Sequence, residues 1–233
     1  MPATLRDNLN AVRERIARAE ELAGRPAGSV RLLAVSKTFP ADDVAEALRC
    51  GQRDFGENRV QELEQKAPLF SAENGPVWHL IGHLQTNKAA KAAALADWIH
   101  SADSVRILEK LDRTAERDIR LLLELNMSGE EAKTGMTGGY DALRKLVEAA
   151  LSSDHLKLQG LMTMAALDAD EKTARTTFAA LRDMRDRAER EYSIRLPELS
   201  MGMSADFEYA IREGSTIVRI GTAIFGGRNY GAR

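Results

Sequence analysis

The stretch Val30-Arg31-Leu32-Leu33-Ala34-Val35-Ser36-Lys37 sets a pattern that recurs along the chain. Its mostly apolar residues predict a buried strand that ends at Lys37, and Pro40 then begins a helical stretch through Cys50. Further strands are predicted at residues 54–56, 77–81, 98–100, 119–125, 156–161, 198–200 and 217–220. Helices are predicted to begin after these strands, near residues 57, 86, 104, 139, 170 and 205.

This alternation of strands and helices decides the fold class. Strands joined through helices pair in parallel, and eight such units in a chain of 233 residues suit a closed barrel. We therefore predict an α/β protein with a single (β/α)8 TIM-type barrel; an open doubly wound sheet is the alternative. Leu5, Leu9, Val12 and Ile16 share one helical face and predict an extra N-terminal helix. No linker divides the sequence, so residues 1–233 are predicted to form one domain.

The composition excludes several classes of partner. The chain carries 33 basic and 35 acidic residues and a formal charge of −2, so no broad cationic face for nucleic acid is expected. No stretch approaches the roughly 20 apolar residues of a membrane span. Cys50 is the single cysteine and cannot form an internal disulfide. Since the N-terminus also lacks a signal sequence, we expect a cytoplasmic protein that binds neither nucleic acid nor membrane.

Lys37 is the strongest candidate for covalent chemistry. In barrels of this type the active site gathers at the carboxyl ends of the strands, where Lys37 lies. A partly desolvated lysine is easily deprotonated and can add to a carbonyl as a Schiff base. Position alone is equally consistent with a lysine that extends from the strand end into water.

Two segments near the end of the chain predict a phosphate site. Ser200-Met201-Gly202-Met203-Ser204 lies between the seventh strand and the next helix and offers hydroxyls and backbone N–H groups. Arg219-Ile220-Gly221-Thr222 ends the eighth strand, where glycine allows close approach and Thr222 adds a hydroxyl. Barrels often bind phosphate after strands seven and eight. Taken singly, each segment is also consistent with an ordinary helix-capping turn.

Arg219 alternates with Val218 and Ile220, so its side chain is expected in the barrel mouth. There it could form a salt bridge, or it could face a pyridine nitrogen of a cofactor and keep that nitrogen unprotonated. His79 and His83 could suggest a metal, but no Cys, Asp or Glu cluster completes a ligand set in the sequence. We therefore expect packing and hydrogen bonding for both histidines.

At these positions the sequence resembles the pyridoxal phosphate homeostasis proteins, relatives of the barrel domain of alanine racemase. The resemblance runs in family order over most of the chain. Its segments are Ala34-Val35-Ser36-Lys37, residues 55–62, residues 78–88, Gly160-Leu161-Met162-Thr163-Met164, residues 199–206 and residues 218–226.

The resemblance implies a protein that binds pyridoxal 5′-phosphate (PLP) and helps to keep its intracellular level in balance, without an established catalytic turnover. The site residues it implies are Lys37 as the Schiff-base lysine, Ser200, Ser204, Gly221 and Thr222 around the phosphate, Arg219 at the pyridine nitrogen, and Asn58 and Met201 along the cofactor. It further implies apo-enzymes that receive PLP as partners, and a monomeric state is expected.

Two other functions compete with this interpretation. A PLP-dependent amino-acid racemase or decarboxylase would share the barrel, but a racemase of this type carries an additional β domain, for which we expect no room in this chain. A class I aldolase would use Lys37 without a cofactor and would need nearby acid/base carboxylates, whereas Arg219 and the polar loops better suit a phosphorylated pyridine.

Overall fold

The computed structural model describes residues 3–127 and 134–227. The strands are β1 (Arg31–Val35), β2 (Asp54–Glu57), β3 (Val77–Leu80), β4 (Trp98–Ala102), β5 (Ile119–Glu124), β6 (Leu156–Met162), β7 (Glu198–Ser200) and β8 (Ile217–Ile220). The helices are α1 (Leu5–Leu22), α2 (Ala41–Arg49), α3 (Val60–Lys66), α4 (Ala89–Leu95), α5 (Val105–Thr114), α6 (Gly139–Leu151), α7 (Glu171–Tyr192), α8 (Phe207–Arg212) and α9 (Thr222–Phe225). Short 3-10 turns occupy Ala67–Leu69 and Thr86–Lys88.

The strands form a closed parallel barrel in the order β1-β2-β3-β4-β5-β6-β7-β8. Closure is made between the first and last strands, where Leu32 pairs with Val218 and Ala34 pairs with Ile220. The (β/α)8 prediction is therefore confirmed, and the open doubly wound sheet is wrong. All eight strands end at the same mouth of the barrel, which gathers their polar ends in one place.

The apolar core has two layers because side chains alternate along each strand. A large cluster packs the helices against the outer barrel wall and includes Leu32, Ala34 and Phe55. A smaller cluster, built from strand residues, fills the barrel interior: Leu33, Trp98, Leu122, Met162 and Ile217. Between β6 and β7 the backbones approach so closely that a Cβ on Gly160 would lie 1.8 Å from the carbonyl oxygen of Glu198.

Helix α1 precedes the barrel, as its apolar spacing predicts. Thr4 begins it with a capping box, in which its hydroxyl accepts from the Asp7 backbone N–H while the Asp7 carboxylate accepts from Thr4. Leu9 and Ile16 are buried, and α1 lies against α8 and α9. The Asn8 amide donates to the carbonyl oxygen of Ile224 at 2.9 Å, which ties α1 to α9 beside the closing strands.

Two local differences from the sequence prediction affect the site. The helix predicted from Glu57 begins only at Val60, because Glu57 is the last residue of β2 and its side chain is fully buried. Helix α9 has four residues and was not predicted, because one turn is too short to show an apolar period. Among the described residues, no helix combines the length and the apolar character needed to cross a membrane.

Candidate functional site

A cavity of about 350 Å³ opens at the carboxyl-terminal mouth of the barrel. Its size falls within the usual range for small-molecule sites, about 300–1,000 Å³. Its wall combines apolar side chains with one amine, one guanidinium, one carboxyl group, one amide and two hydroxyls. The lining residues are Val35, Lys37, Phe39, Asn58, Ile81, Met164, Leu167, Met203, Ser204, Ala205, Asp206, Arg219, Gly221 and Thr222.

Six of the eight site residues implied by the sequence meet at this cavity: Lys37, Asn58, Ser204, Arg219, Gly221 and Thr222. The other two lie beneath it. Ser200 is fully buried inside the barrel, and its hydroxyl contacts Arg219 and His100. Met201 is fully buried in the apolar cluster beneath the helices. The structure thus brings Ser200 to the site through Arg219 and leaves Met201 in the core.

The backbone on both sides of Lys37 is held by a buried cluster. The Ser36 hydroxyl donates to Glu57 Oε1 at 2.7 Å, and the Lys66 ammonium donates to the Ser36 carbonyl oxygen at 2.8 Å. On the other side, the Thr38 N–H donates to Glu62 at 3.1 Å. Thr38 adopts a φ of 69°, a left-handed conformation that costs a non-glycine residue about 1–2 kcal/mol. These contacts offset that cost and fix where Lys37 leaves β1.

The charges in this cluster are unusual for a protein interior. Lys66 donates to Glu57 Oε1 at 2.7 Å, with both side chains buried, and it lies 3.7 Å from Glu62. Burial is the main cause that raises the pKa of Glu57 to about 8, and the neighbouring Glu62 side chain adds to the rise, whereas Lys66 opposes it. Glu57 therefore keeps its proton at neutral pH.

Arg219 lies on β8, the strand next to β1, and it is only 4% exposed. Its two terminal amino groups donate to the Ser200 hydroxyl at 2.8 Å and to the Thr163 carbonyl oxygen at 2.9 Å. Burial lowers the pKa of Arg219 to about 10, which still leaves a cation at neutral pH. A fixed positive charge thus faces a cavity that also contains an amine.

The loop after β7 supplies the polar wall next to Arg219. Gly202 has a φ of 95°, which glycine adopts easily. Its carbonyl oxygen accepts from the Arg219 N–H at 3.0 Å, so the loop is joined to β8. Asp206 accepts from the Met203 N–H at 2.6 Å and closes the turn that carries Ser204 into the cavity. Helix α9 begins at Thr222, where the first N–H groups of a helix have no partner within it.

His79 does not share a site with His83. His79 is fully buried and lies 2.9 Å from His100 and 3.0 Å from Asp54, whereas His83 is half exposed and faces Asp103 at 3.5 Å. Within residues 3–127 and 134–227, no group of three His, Cys, Asp or Glu side chains is arranged to hold a metal ion.

Neither His100 nor Lys66 is predicted as a site residue from the sequence, whereas Glu57 is expected among the polar residues at the strand ends. His100 is two residues after Trp98 in β4, so the two side chains share one face of the strand and a polar side chain is indicated beside Trp98. Lys66 carries no such signal, because a lysine near the end of a short helix is typical of an exposed surface.

Comparison with known proteins finds one matching family and relatives that cover nearly the whole chain. Residues 8–229 match the family described as alanine racemase, N-terminal domain. A pyridoxal phosphate homeostasis protein from Aquifex aeolicus is 41% identical over 227 residues, which cover 96% of this chain and 98% of that protein.

Two solved structures extend the comparison. PipY from Synechococcus elongatus PCC7942, solved with PLP bound, superposes with a TM-score of 0.79 at 38% identity, over 91% of this chain and all of PipY. Alanine racemase from Clostridium difficile 630 superposes with a TM-score of 0.75 at 15% identity, over 96% of this chain but 60% of the racemase. The racemase likeness shows the shared barrel fold alone.

Proposed function

Because the chain belongs to the alanine racemase N-terminal domain family and, within it, to the pyridoxal phosphate homeostasis proteins, we propose that it binds PLP in the mouth cavity and helps to keep PLP in balance in the cell. One observation carries this proposal: Lys37, Arg219 and the hydroxyls of Ser204 and Thr222 line the same cavity, although they come from opposite ends of the sequence.

The chemistry of the cavity fits PLP at each end of the molecule. Bound PLP supplies an aldehyde and an electron-withdrawing pyridine ring. In our proposal the Lys37 amine joins the aldehyde as a Schiff base, and Arg219 lies beside the ring nitrogen. Ser204, Gly221 and Thr222 hold the phosphate.

The other two implied residues act from beneath the cavity. Ser200 supports Arg219 through its hydroxyl, which accepts from the guanidinium. Met201 supports the loop after β7 from the core. Asn58 lines the cavity wall directly, and we propose that it contacts the ring.

We further propose that this chain does not turn over amino acids efficiently. Reaction at an amino-acid α-carbon needs an electron-accepting ring and a pair of groups that move the proton. A permanent cation beside the ring nitrogen keeps that nitrogen unprotonated and weakens the electron sink. The relatives are named for homeostasis, which supports a role in storing or delivering PLP.

The remaining parts of the proposal concern the setting. We propose that residues 1–233 act as one PLP-binding unit, monomeric and cytoplasmic, that passes PLP to apo-enzymes. The transfer of PLP is supported by the cavity reaching the protein surface, since one of its lining side chains, Leu167, is exposed.

The test is covalent capture of the cofactor. We expect the purified chain to gain a visible absorption band with PLP, to lose it on borohydride reduction, and to carry the reduced adduct on Lys37 by peptide mass spectrometry. Lys37→Ala should lose the band and keep the circular dichroism spectrum of the fold. Lys91→Ala, an exposed lysine of α4 paired with Glu64, is the matched control and should keep both. An adduct mainly on another lysine contradicts the assignment.

The racemase alternative has its own measurement. The PLP-loaded chain is incubated with each common L-amino acid, and chirality and keto-acid formation are followed. Turnover above about 1 s⁻¹, the lower end of ordinary enzyme rates, would make homeostasis wrong as the primary function.

A further inference from the structure

A continuous line of hydrogen bonds crosses the barrel interior from the mouth to the opposite end. Arg219 donates to the Ser200 hydroxyl at 2.8 Å, and that hydroxyl lies 3.0 Å from His100 Nδ1. His100 Nε2 lies 2.9 Å from His79 Nδ1, and His79 Nε2 lies 3.0 Å from Asp54 Oδ1. We call these five residues the polar line. Asp54 is the first residue of β2, at the amino-terminal end of the barrel.

The direction of the polar line is fixed by its ends. A guanidinium can only donate hydrogen bonds and a carboxylate can only accept them, whereas a hydroxyl and a neutral imidazole each do both. Because the Asp54 carboxylate only accepts, neutral His79 carries its proton on Nε2 and its Nδ1 accepts from His100 Nε2–H. His100 Nδ1 is then an acceptor, and the Ser200 hydroxyl donates to it while accepting from Arg219. Each group donates toward Asp54, and no other order of protons satisfies all four contacts.

The surroundings hold the two histidines neutral and in place. Both are fully buried, and burial is the main cause that lowers the pKa of each. His79 stacks on Trp98 with ring centroids 5.5 Å apart and planes 7° apart, and His100 lies edge-on to His79 at 5.1 Å. The Arg31 guanidinium lies over the Trp98 ring, 5.1 Å from the ring centroid. The rings cannot turn away without disturbing the interior cluster.

We propose that Asp54 is a positioning residue for Arg219, acting through His79, His100 and Ser200. The Asp54 carboxylate orders the two imidazole protons, which leaves His100 Nδ1 free to accept and so turns the Ser200 proton away from Arg219. Arg219 then keeps an oxygen acceptor at Ser200 and presents its cationic face to the mouth. The proposal rests on the proposed function only in assigning PLP as the ligand that meets this face.

The first test uses the chain without cofactor. The protein has four histidines, so ¹⁵N-labelled imidazoles give a simple spectrum. We expect two histidines in the Nε2–H form that do not titrate between about pH 5 and 8. Asp54→Ala should mix the tautomers of both and move the slowly exchanging guanidinium signals of Arg219, assigned with Arg219→Lys. Asp103→Ala is the matched control, because Asp103 faces His83 outside the polar line, and it should move His83 alone.

A second variant guards against loss of the fold. Asp54→Asn keeps an oxygen that accepts from His79 and removes only the charge. We expect it to retain the tautomers and the Arg219 signals while the His79 Nε2 proton moves upfield. If Asp54→Ala unfolds, an Asp54→Asn spectrum with an unmoved His79 proton overturns the proposal. Unmoved Arg219 signals in a folded Asp54→Ala chain overturn it as well.

The PLP-loaded chain separates this proposal from the proposed function. We expect Asp54→Ala to shift the visible band and to raise the PLP dissociation constant about two- to tenfold, the effect of one weakened hydrogen bond. Asp54→Asn should stay close to the wild-type chain. If the wild-type chain forms no band, the proposed function fails while the histidine and arginine spectra still decide the positioning role. If the band forms and Asp54→Ala leaves it unchanged, the positioning role fails and PLP binding stands.

Discussion

Replacing Lys66 with methionine tests whether the buried cluster beneath Lys37 holds the site together. The change keeps the length and apolar stem of the side chain and removes the ammonium. Two contacts are lost, the bond to Glu57 Oε1 at 2.7 Å and the bond to the Ser36 carbonyl oxygen at 2.8 Å. No water replaces them easily, because Lys66 is only 6% exposed.

The expected loss of stability depends on pH, since the pKa of Glu57 is raised to about 8. At pH 6 Glu57 is protonated, so the variant loses hydrogen bonds without leaving a bare charge, at about 2 kcal/mol. At pH 9 Glu57 of the wild-type chain is mostly ionised beside Lys66. Without Lys66 the pKa of Glu57 rises further, so the buried carboxyl group must either take up a proton or stay ionised without its cation, and the loss grows toward about 3–5 kcal/mol, the cost of breaking a buried ion pair. The free energy of unfolding should therefore fall more at pH 9 than at pH 6.

Urea unfolding followed by circular dichroism at the two pH values measures this difference. Lys91→Met is the matched control, because Lys91 pairs with Glu64 on the surface and such pairs contribute about 0–1 kcal/mol. A Lys66→Met chain that matches the Lys91→Met chain at both pH values would refute the role of the cluster. A loss that is equal at pH 6 and pH 9 would refute the raised pKa of Glu57.

Three further changes follow from described contacts. Because Glu57 binds its proton more tightly folded than unfolded, its contribution to stability is present below about pH 4.5 and is lost as pH rises toward 8; Glu57→Gln should flatten this decline in urea midpoints. Replacing both Ser204 and Thr222 with alanine should weaken PLP retention by about 1–3 kcal/mol in equilibrium dialysis, and an equal effect on unphosphorylated pyridoxal would contradict a phosphate role. Gly202→Ala should lower the free energy of unfolding by more than about 2 kcal/mol, because the added Cβ would lie 2.6 Å from the Cβ of Ala210. The control is Gly24→Ala, which has a φ of 64° and open space around it and should cost about 1 kcal/mol. Thermal unfolding measures both.

The barrel could be predicted because its evidence is local. Each strand shows its own apolar run, and the predicted bounds of β7 and β8 coincide with the structure. The position of Arg219 in the mouth also follows from the alternation of side chains along one strand, which does not depend on which strands lie next to it.

The contacts between distant residues could not be predicted in the same way. Asp54, His79 and His100 come together only because β2 pairs with β3 in one register, with Gly56 opposite His79, and β3 pairs with β4. A shift of one residue would turn their side chains to the other face. The hydrogen bond from Lys66 to the Ser36 carbonyl oxygen depends on where α3 begins after β2. Helix boundaries are poorly defined by sequence, so this contact could not be predicted.

The direct contacts expected of Ser200 and Met201 with PLP stay predictions. Both lie in a segment rich in small and polar residues, which indicates a turn but does not say which side chains face outward. In the structure the Ser200 side chain enters the barrel and the Met201 side chain enters the core, because they alternate at the end of β7.

Closure of the barrel between β1 and β8 has a consequence for synthesis of the protein. Residue numbers 37 and 219 differ by 182, so the lysine leaves the ribosome long before the arginine that lines the same cavity. At about 5–20 residues per second, the interval is roughly 10–40 s. Throughout that time β1 lacks the neighbour that completes its hydrogen bonding, and the nascent chain has no finished cavity. Capture of PLP would therefore report that translation has passed β8 and that the ring of strands has closed.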